Sequence, residues 1–598
     1  MSTVEASRCI ACGFPDDDLR MTHSGPLCPY CRGDGQASTP AENIVLRPYQ
    51  ASAVASIQER LTEAKSTLVV NPTGTGKTII LASVIRDWVR QPGNGRVVVM
   101  AHRDELIRQA ASKIEWVTGE PCDIEMGQNY ADQCDMLSRA NVVVTSVQTM
   151  SRKRRQERFH PADFGLLIID EAHHAPTPTY KSVIDHFSQN AKLRLLGVTA
   201  TADRADERAM GLVFDTVASE YHLPDAIDDG WLVPIEQQFV HVAGLDLSRV
   251  KTTRGGDLNE SQLAEIFNEE ERCHQIVAPT MEIAGDKQTL VFAVSVDQAE
   301  MMCDIANRHR PGCAEWICGD SVRCPMDVRR DRLRRFSAKQ FQYLINCAVL
   351  LEGYDEPGVE VIACGRPTKS RSLYAQMVGR GTRPLPGVVD PWETAEERRA
   401  AIAASGKPSL LVLDYVGNSG SHKLVHTGDI LGGNYDDEIV AMATSDVAAK
   451  STAGERTDML AALRAAEEAM KERKRNQRSH LIATASYDIR RVNPFDLFDL
   501  VPRREAAWHR GRKPTPKMAE VVERLGFNPA SLSFTQASQL IDEAEKRRDK
   551  GLCTFKQARI LAKYGESMDV SFAEASRLMD AIKRNGWKPL PKIKAAAS

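Results

Sequence analysis

No apolar run in this 598-residue chain approaches the roughly 20 residues that a membrane-crossing helix needs, so no such helix is expected. The first residues, Met1-Ser-Thr-Val-Glu-Ala-Ser7, lack the basic start and apolar core of a signal peptide. Charge of one sign is also scarce. A net charge of −3 means that any polyanionic partner must be met by local patches. Of the 14 cysteines, ten are scattered singly through apolar or helical stretches, which argues against a disulfide framework and for a reducing, cytoplasmic setting. No nuclease constellation is evident. What remains is an ordinary balance of 42% hydrophobic and 26% charged residues, in a chain long enough for several domains of ~100–200 residues.

The most informative stretch is Asn71-Pro-Thr-Gly-Thr-Gly-Lys-Thr78. It follows the apolar Leu68-Val-Val70 and precedes Ile79-Ile80-Leu81, the strand–loop–helix context of a phosphate-binding loop. Thr73, Gly74, Thr75 and Gly76 would wrap an anion with backbone N–H groups, Lys77 would meet the outer phosphates, and Thr78 would hold Mg²⁺. The strict pattern has glycine where this chain has Asn71. Upstream, Gln50 in Leu46-Arg-Pro-Tyr-Gln50 can read an adenine edge with its amide. Downstream, Leu166-Leu-Ile-Ile-Asp170-Glu171-Ala-His173 reads as a buried strand ending in two carboxylates. Asp170 would sit beside the metal ion, and Glu171 would orient and deprotonate an attacking water.

Apolar strands recur between helical stretches: Val97-Val-Val-Met-Ala101, Asn141-Val-Val-Val-Thr145 and Leu193-Arg-Leu-Leu-Gly-Val-Thr199. That pattern argues for a parallel sheet covered on both faces. After a polar, helical segment at 241–285 it returns in Thr289-Leu-Val-Phe-Ala-Val294, Tyr343-Leu-Ile-Asn-Cys-Ala-Val-Leu350, Val359-Glu-Val-Ile-Ala363 and Leu410-Leu-Val-Leu413. The second half has no phosphate loop of its own, so one nucleotide site shared across a cleft is expected. Its share is Tyr374-Ala-Gln376-Met-Val-Gly-Arg380-Gly-Thr-Arg383, where Gln376, Arg380 and Arg383 fall on one helical face unless Gly379 and Gly381 unwind it. Two guanidiniums there can stabilise charge on a transferring phosphoryl group.

Together these motifs resemble those of the superfamily 2 DEAH-type helicases, over residues 44–418. The resemblance implies an ATP hydrolase built from two RecA-like α/β lobes, with ATP and Mg²⁺ as cofactors. It identifies Arg47 and Gln50 as adenine-site residues, Gly353 and Asp355 as nucleotide-site residues, and His173, Thr199 and Thr201 as the couplers of hydrolysis to strand grip. It places His102, Arg103, Thr145, Ser146, Gln148 and Thr368 on the nucleic acid. The stretches 341–383 and 413–418 most resemble RadD-type bacterial and phage repair proteins, which carry cysteine-rich elements after the motor rather than before it.

Two CxxC pairs, Cys9/Cys12 and Cys28/Cys31, lie fifteen residues apart, the spacing of a structural Zn²⁺ site. Cys313, Cys318 and Cys324 lack such pairing and read as ordinary thiols. The run Arg152-Lys-Arg-Arg155 reads as a solvated loop, with nucleic-acid contact the rival. Residues 421–455 look loop-rich, and 458–478 form a charged helix. From Thr515 the chain repeats itself at an offset of 39, later 38, residues: Ser533-Phe-Thr-Gln-Ala-Ser recurs as Ser571-Phe-Ala-Glu-Ala-Ser. Residues 503–598 hold 20 Lys and Arg against 11 Asp and Glu, which favours a nucleic-acid grip over protein docking.

The expected architecture is a zinc ribbon and linker (1–40), two motor lobes (42–235 and 236–420), a linker with a charged helix (421–502) and a basic all-α duplicated module (503–598). The expected activity is ATP-driven helicase action, on DNA more than RNA, with strand separation or branch remodelling. A duplex translocase within a restriction or defence complex, and a non-catalytic nucleic-acid scaffold, are the rivals. A protein partner would dock through the zinc ribbon or the C-terminal repeat.

Overall fold

The computed structural model describes residues 20–22, 25–27, 45–101, 104–127, 129–131, 139–200, 209–253, 255–350, 354, 356–420, 422–433, 435–481, 495, 498, 500–506, 508–564 and 566–588. A short antiparallel hairpin, β1 (Arg20–Thr22) against β2 (Gly25–Leu27), lies between the two cysteine pairs. Cys9, Cys12, Cys28 and Cys31 themselves lie outside the described residues.

Strands with no polar face cannot sit at a solvated surface, and here they are sandwiched. Val97, Val98 and Val99 are each 2% exposed or less, as a strand covered on both sides must be. The first lobe contains β3 (Ser66–Val70), β4 (Arg96–Ala101), β5 (Cys122–Glu125), β6 (Val142–Ser146), β7 (Phe164–Asp170), β8 (Arg194–Thr199) and β9 (Thr216–Glu220). They form one seven-stranded parallel sheet in the order β5-β6-β4-β7-β8-β3-β9. The helices Pro48–Glu63, Lys77–Val89 and Asp104–Thr118 bury Ile57, Ile85, Ile107 and Ile114 in its core.

The second lobe repeats the plan. It contains β10 (Ile235–Asp246), β11 (Thr289–Phe292), β12 (Ala314–Cys318), β13 (Tyr343–Cys347), β14 (Val361–Cys364), β15 (Leu410–Asn418) and β16 (Thr457–Asp458). Their order is β12-β13-β11-β14-β15-β10-β16, parallel except for β16 on β10. The structure corrects two expectations. Residues 241–246 are strand, the far end of β10, rather than helix. The stretch 421–455 carries a 16-residue helix, Asp437–Thr452, which its alanines and threonines hide from a periodicity reading. Cys313, Cys318 and Cys324 are buried thiols without a disulfide.

These lobes belong to one compact unit, residues 1–431 with 444–462; residues 432–443 with 463–598 form another. In the second unit two helix pairs follow one another, Pro516–Leu525 with Phe534–Asp549 and Phe555–Lys563 with Phe572–Arg584. The hydroxyls of Thr515, Ser533, Thr554 and Ser571 each accept an N–H from the first turn of their helix. Among the described residues no helix is long and apolar enough to cross a membrane.

One glycine fixes the middle of the first sheet. Between β4 and β7 the register slips at Gly165, with Arg96 opposite Phe164 and Val97 opposite Leu166. A Cβ there would lie 1.6 Å from the Asn94 carbonyl oxygen. Gly165→Ala must push the 94–95 turn off the strand. It should cost roughly 1–3 kcal/mol, the range for overpacked sites that also shift backbone. Chemical denaturation read by circular dichroism checks it; an unchanged midpoint would contradict the packing.

Candidate active site

β3 delivers the chain into residues 71–76, and Gly74 and Gly76 adopt φ of +90° and +79°, the left-handed region that glycine enters at least cost. Asn71 replaces a glycine without opening the loop. It is 2% exposed, and its N–H donates 2.9 Å to the Thr199 carbonyl at the end of β8. Its amide nitrogen is buried and has no hydrogen-bond acceptor among the described residues. Gln50 braces the loop from outside. Its Oε1 accepts the Arg47 N–H at 3.0 Å and its Nε2 donates to Thr75 O at 3.0 Å, while the Tyr49 hydroxyl donates to the same carbonyl at 2.7 Å.

Lys77 and Thr78 open the helix Lys77–Val89. The Lys77 ammonium lies 3.4 Å from Glu171 Oε1, with both side chains largely buried. Asp170 ends β7, and its Oδ1 accepts the Glu171 N–H at 3.0 Å. Glu171 itself has φ +53°, a strained backbone of the kind that persists only when its surroundings hold it. His173 Nδ1 is 3.4 Å from Glu171 Oε2 and 3.3 Å from Thr199 Oγ1, so one imidazole joins the carboxylate to the end of β8. Burial opposes ionisation of Glu171. The Lys77 ammonium, with His173 and Arg380 behind it, outweighs burial and holds the carboxyl below its ordinary range.

The second lobe reaches this pair through the helix Arg371–Gly379, whose N-terminus is capped by Ser370. The helix stops at Gly379 and Arg380 takes the C-cap, so Gln376, Arg380 and Arg383 do not share one unbroken helical face. Gln376 is buried, and Arg380 Nη1 donates to Tyr354 O at 2.6 Å. Tyr374, on the same helix, donates at 2.6 Å to Asp414, buried in β15. The arginine segment packs on the phosphate loop itself. A Cβ on Gly379 would lie 2.8 Å from Thr73 Cβ, and one on Gly74 would lie 3.3 Å from Arg383 Cγ. The Val233 N–H, in the connection between lobes, donates to Thr382 O at 2.9 Å.

Sequence reasoning missed an aromatic group at the lobe junction. Arg47 and Arg398, one from each lobe, lie 4.3 and 3.9 Å from the Trp231 ring centroid. Arg47 also pairs with Asp390 at 3.0 Å, and Tyr49 stacks on Tyr221 at 4.6 Å. The Trp in Gly230-Trp-Leu232, at the exit from the first lobe, was the available signal.

The residues expected on nucleic acid divide. His102 and Arg103 lie outside the described residues, as do Thr201, Gly353 and Asp355. Gln148 is exposed. Thr145 and Ser146 are buried: Thr145 donates to Glu125 O at 2.9 Å, and Ser146 caps the turn after β6. Thr368 is 1% exposed and donates to Asp257 at 2.7 Å. In this structure all three hydroxyls are engaged within the fold. In the basic run, Arg155 is buried against Glu125, whereas Arg152, Lys153 and Arg154 are exposed.

A buried amide donor at Asn71, two left-handed glycines and an ammonium at a helix start make a cradle that fits a nucleotide's phosphates. Thr78 and Asp170, both half-buried, offer the oxygen donors that Mg²⁺ requires. Among the described residues no group of three or more His, Cys, Asp or Glu side chains makes a further metal site.

Comparison with known proteins agrees with this geometry. Residues 43–204 match the family model described as "Type III restriction enzyme, res subunit", and residues 269–384 match "Helicase conserved C-terminal domain". The chain is 31% identical over 353 residues to the "Putative ATP-dependent helicase IRC3" of Saccharomyces cerevisiae, covering 57% of this chain and 49% of that protein. It is 30% identical over 349 residues to the Schizosaccharomyces pombe "Putative mitochondrial ATP-dependent helicase irc3", covering 57% and 55%. It is 27% identical over 383 residues to the "DNA 3'-5' helicase XPB" of Kineococcus radiotolerans, covering 62% of each. The chain thus spans about half the length of the two yeast relatives.

The depressed Glu171 carboxyl has a stability consequence. A carboxylate whose folded pKa lies below its unfolded value stabilises the fold above the unfolded value, about 4.3, and loses that contribution as pH falls through the folded one. The melting-temperature gap between wild type and Glu171→Gln should therefore stay constant from about pH 8 to 5 and narrow only below about 4.3. A gap that narrows between pH 7 and 5, in calorimetry or dye-based melts, would show that the pair does not hold Glu171 ionised.

Proposed function

We propose that the chain couples ATP hydrolysis to movement along nucleic acid, with DNA favoured; the matches to helicase-type family models over residues 43–204 and 269–384, and the resemblance of its motifs to those of superfamily 2 helicases, support this reading. The observation that carries the reading is the approach of Gly379 to Thr73 and of Arg383 to Gly74. It brings the arginines of one lobe onto the phosphate loop of the other. In this reading Lys77 leaves Glu171 to meet the outer phosphates. The released carboxylate, already ionised, orients a water and takes its proton. Arg380 and Arg383 supply the positive charge that the phosphoryl group needs in flight, worth ~10³–10⁵ in rate for arginines in this role. Mg²⁺ held by Thr78 and Asp170 would neutralise phosphate charge. His173 and Thr199 pass the change at Glu171 to the end of β8. Alternating closure and opening of the lobes gives steps along a backbone gripped without regard to sequence.

DNA is favoured because one of the similar proteins carries "DNA 3'-5' helicase" in its name. The basic duplicated module would add grip: Arg510, Arg512, Lys513, Lys556 and Arg577 are all exposed. The two CxxC pairs flanking the 20–27 hairpin would bind Zn²⁺ as a structural ribbon. Purified wild type should then carry about one zinc per chain by elemental analysis. Cys28→Ser should carry none, and equal metal in both would remove the ribbon.

The function is tested by phosphate release with single-stranded DNA, duplex, forked DNA and RNA. Stimulation by DNA is expected, and none by any nucleic acid would sink the motor reading. Strand displacement beside triplex displacement separates unwinding from movement on intact duplex. Glu171→Gln should bind ATP at wild-type affinity with turnover lost. Arg383→Ala should keep DNA affinity while turnover falls at least ~10³-fold. Undiminished hydrolysis in either variant would remove that residue from its role.

A further inference from the structure

Lys407 stands in Gly406-Lys-Pro408, just before β15, and has no exposed surface. Its Nζ donates to Arg383 O at 2.7 Å and to Pro357 O at 2.8 Å. Removing an ammonium from water is costly, and an apolar side chain of similar volume often serves stability as well or better. A buried lysine spent on two backbone carbonyls is therefore better explained by the geometry it sets.

That geometry belongs to the arginine segment. Pro357 lies three residues beyond Tyr354, whose carbonyl accepts Arg380 Nη1 at 2.6 Å. Lys407 thus ties the same neighbourhood from the other side: Arg380 is held on Tyr354 O, and the ammonium links Pro357 O to Arg383 O. Two other bonds hold the intervening backbone, Thr382 Oγ1 to Gly379 O at 3.0 Å and Val233 N–H to Thr382 O at 2.9 Å. Without the ammonium, Arg383 O and Pro357 O would both lose a charge-assisted donor.

We propose that Lys407 is a positioning residue for the two arginines, fixing the segment 380–383 against Pro357, near the Tyr354 carbonyl that holds Arg380, so that both guanidiniums arrive together at the phosphate loop. It touches no nucleotide, and it acts through the carbonyls it holds. The proposal rests on the reading of Arg380 and Arg383 given above.

The test uses the full chain with Lys407→Met, close in volume and uncharged, and Lys407→Gln, which retains an N–H donor. Lys407→Met should lower DNA-stimulated kcat roughly 10- to 100-fold, the penalty for a reacting group misplaced by about 1 Å. KM for ATP and affinity for fluorescent ADP should stay within about threefold of wild type, because the first lobe's loop is untouched. Affinity for ADP with aluminium fluoride, which mimics the phosphoryl group in flight, should fall with kcat. Lys407→Gln should lie between Met and wild type. A folded Met variant with kcat within about twofold of wild type overturns the proposal, as does equal loss of ADP and aluminium fluoride affinity. If the Met variant fails to melt cooperatively, the same criteria apply to the Gln variant. If Arg383→Ala also hydrolyses normally, the fault lies in the reading of the arginine segment. If Arg383→Ala is inactive and Lys407→Met is not, only the brace is wrong.

Discussion

Lys77 and Glu171 face one another across 3.4 Å, each largely removed from water, and both lobes are arranged around that pair. Buried pairs of this sort are poor stabilisers, since desolvating two charges offsets most of what their attraction returns. Breaking one costs far more than building it gained, about 3–5 kcal/mol when a partner is left buried alone. The arrangement therefore suits an exchange of partners better than a fixed scaffold. A phosphate can take the ammonium, and the carboxylate is then left charged beside it. The strained backbone at Glu171 fits the same logic, because a residue at φ +53° stays there only while its neighbours hold it.

Much of this was legible in the residues themselves. Gly74, Gly76, Lys77 and Thr78 are dictated by how a backbone must turn to meet phosphate, and a strand as apolar as Leu166-Leu-Ile-Ile169 has nowhere to go but the middle of a covered sheet. Two lobes with one phosphate loop implied a shared site, and Gly379 of the second lobe does pack on Thr73 of that loop.

The rest was hidden for particular reasons. Edge strands such as β5, Cys122-Asp-Ile-Glu125, are too short and polar to show a period. Thr145, Ser146 and Thr368 look like surface hydroxyls in a sequence, yet each is taken up by a neighbour remote from it or by a cap. Asp257, which binds Thr368, is 111 residues away. The helical face through 376, 380 and 383 is interrupted because the helix ends at Gly379, the unwinding that the two glycines had left open. Lys407 carried no pattern at all, since its importance lies in which carbonyls surround it.

The indole at the lobe junction has a practical corollary. Trp231 is contacted by a guanidinium from each lobe, Arg47 from the first and Arg398 from the second. Cations near an indole shift the energy of its excited state, so drawing the lobes apart would change this chromophore's emission without any dye attached. The protein carries its own optical gauge of cleft width, read against the other six tryptophans of a chain that has seven.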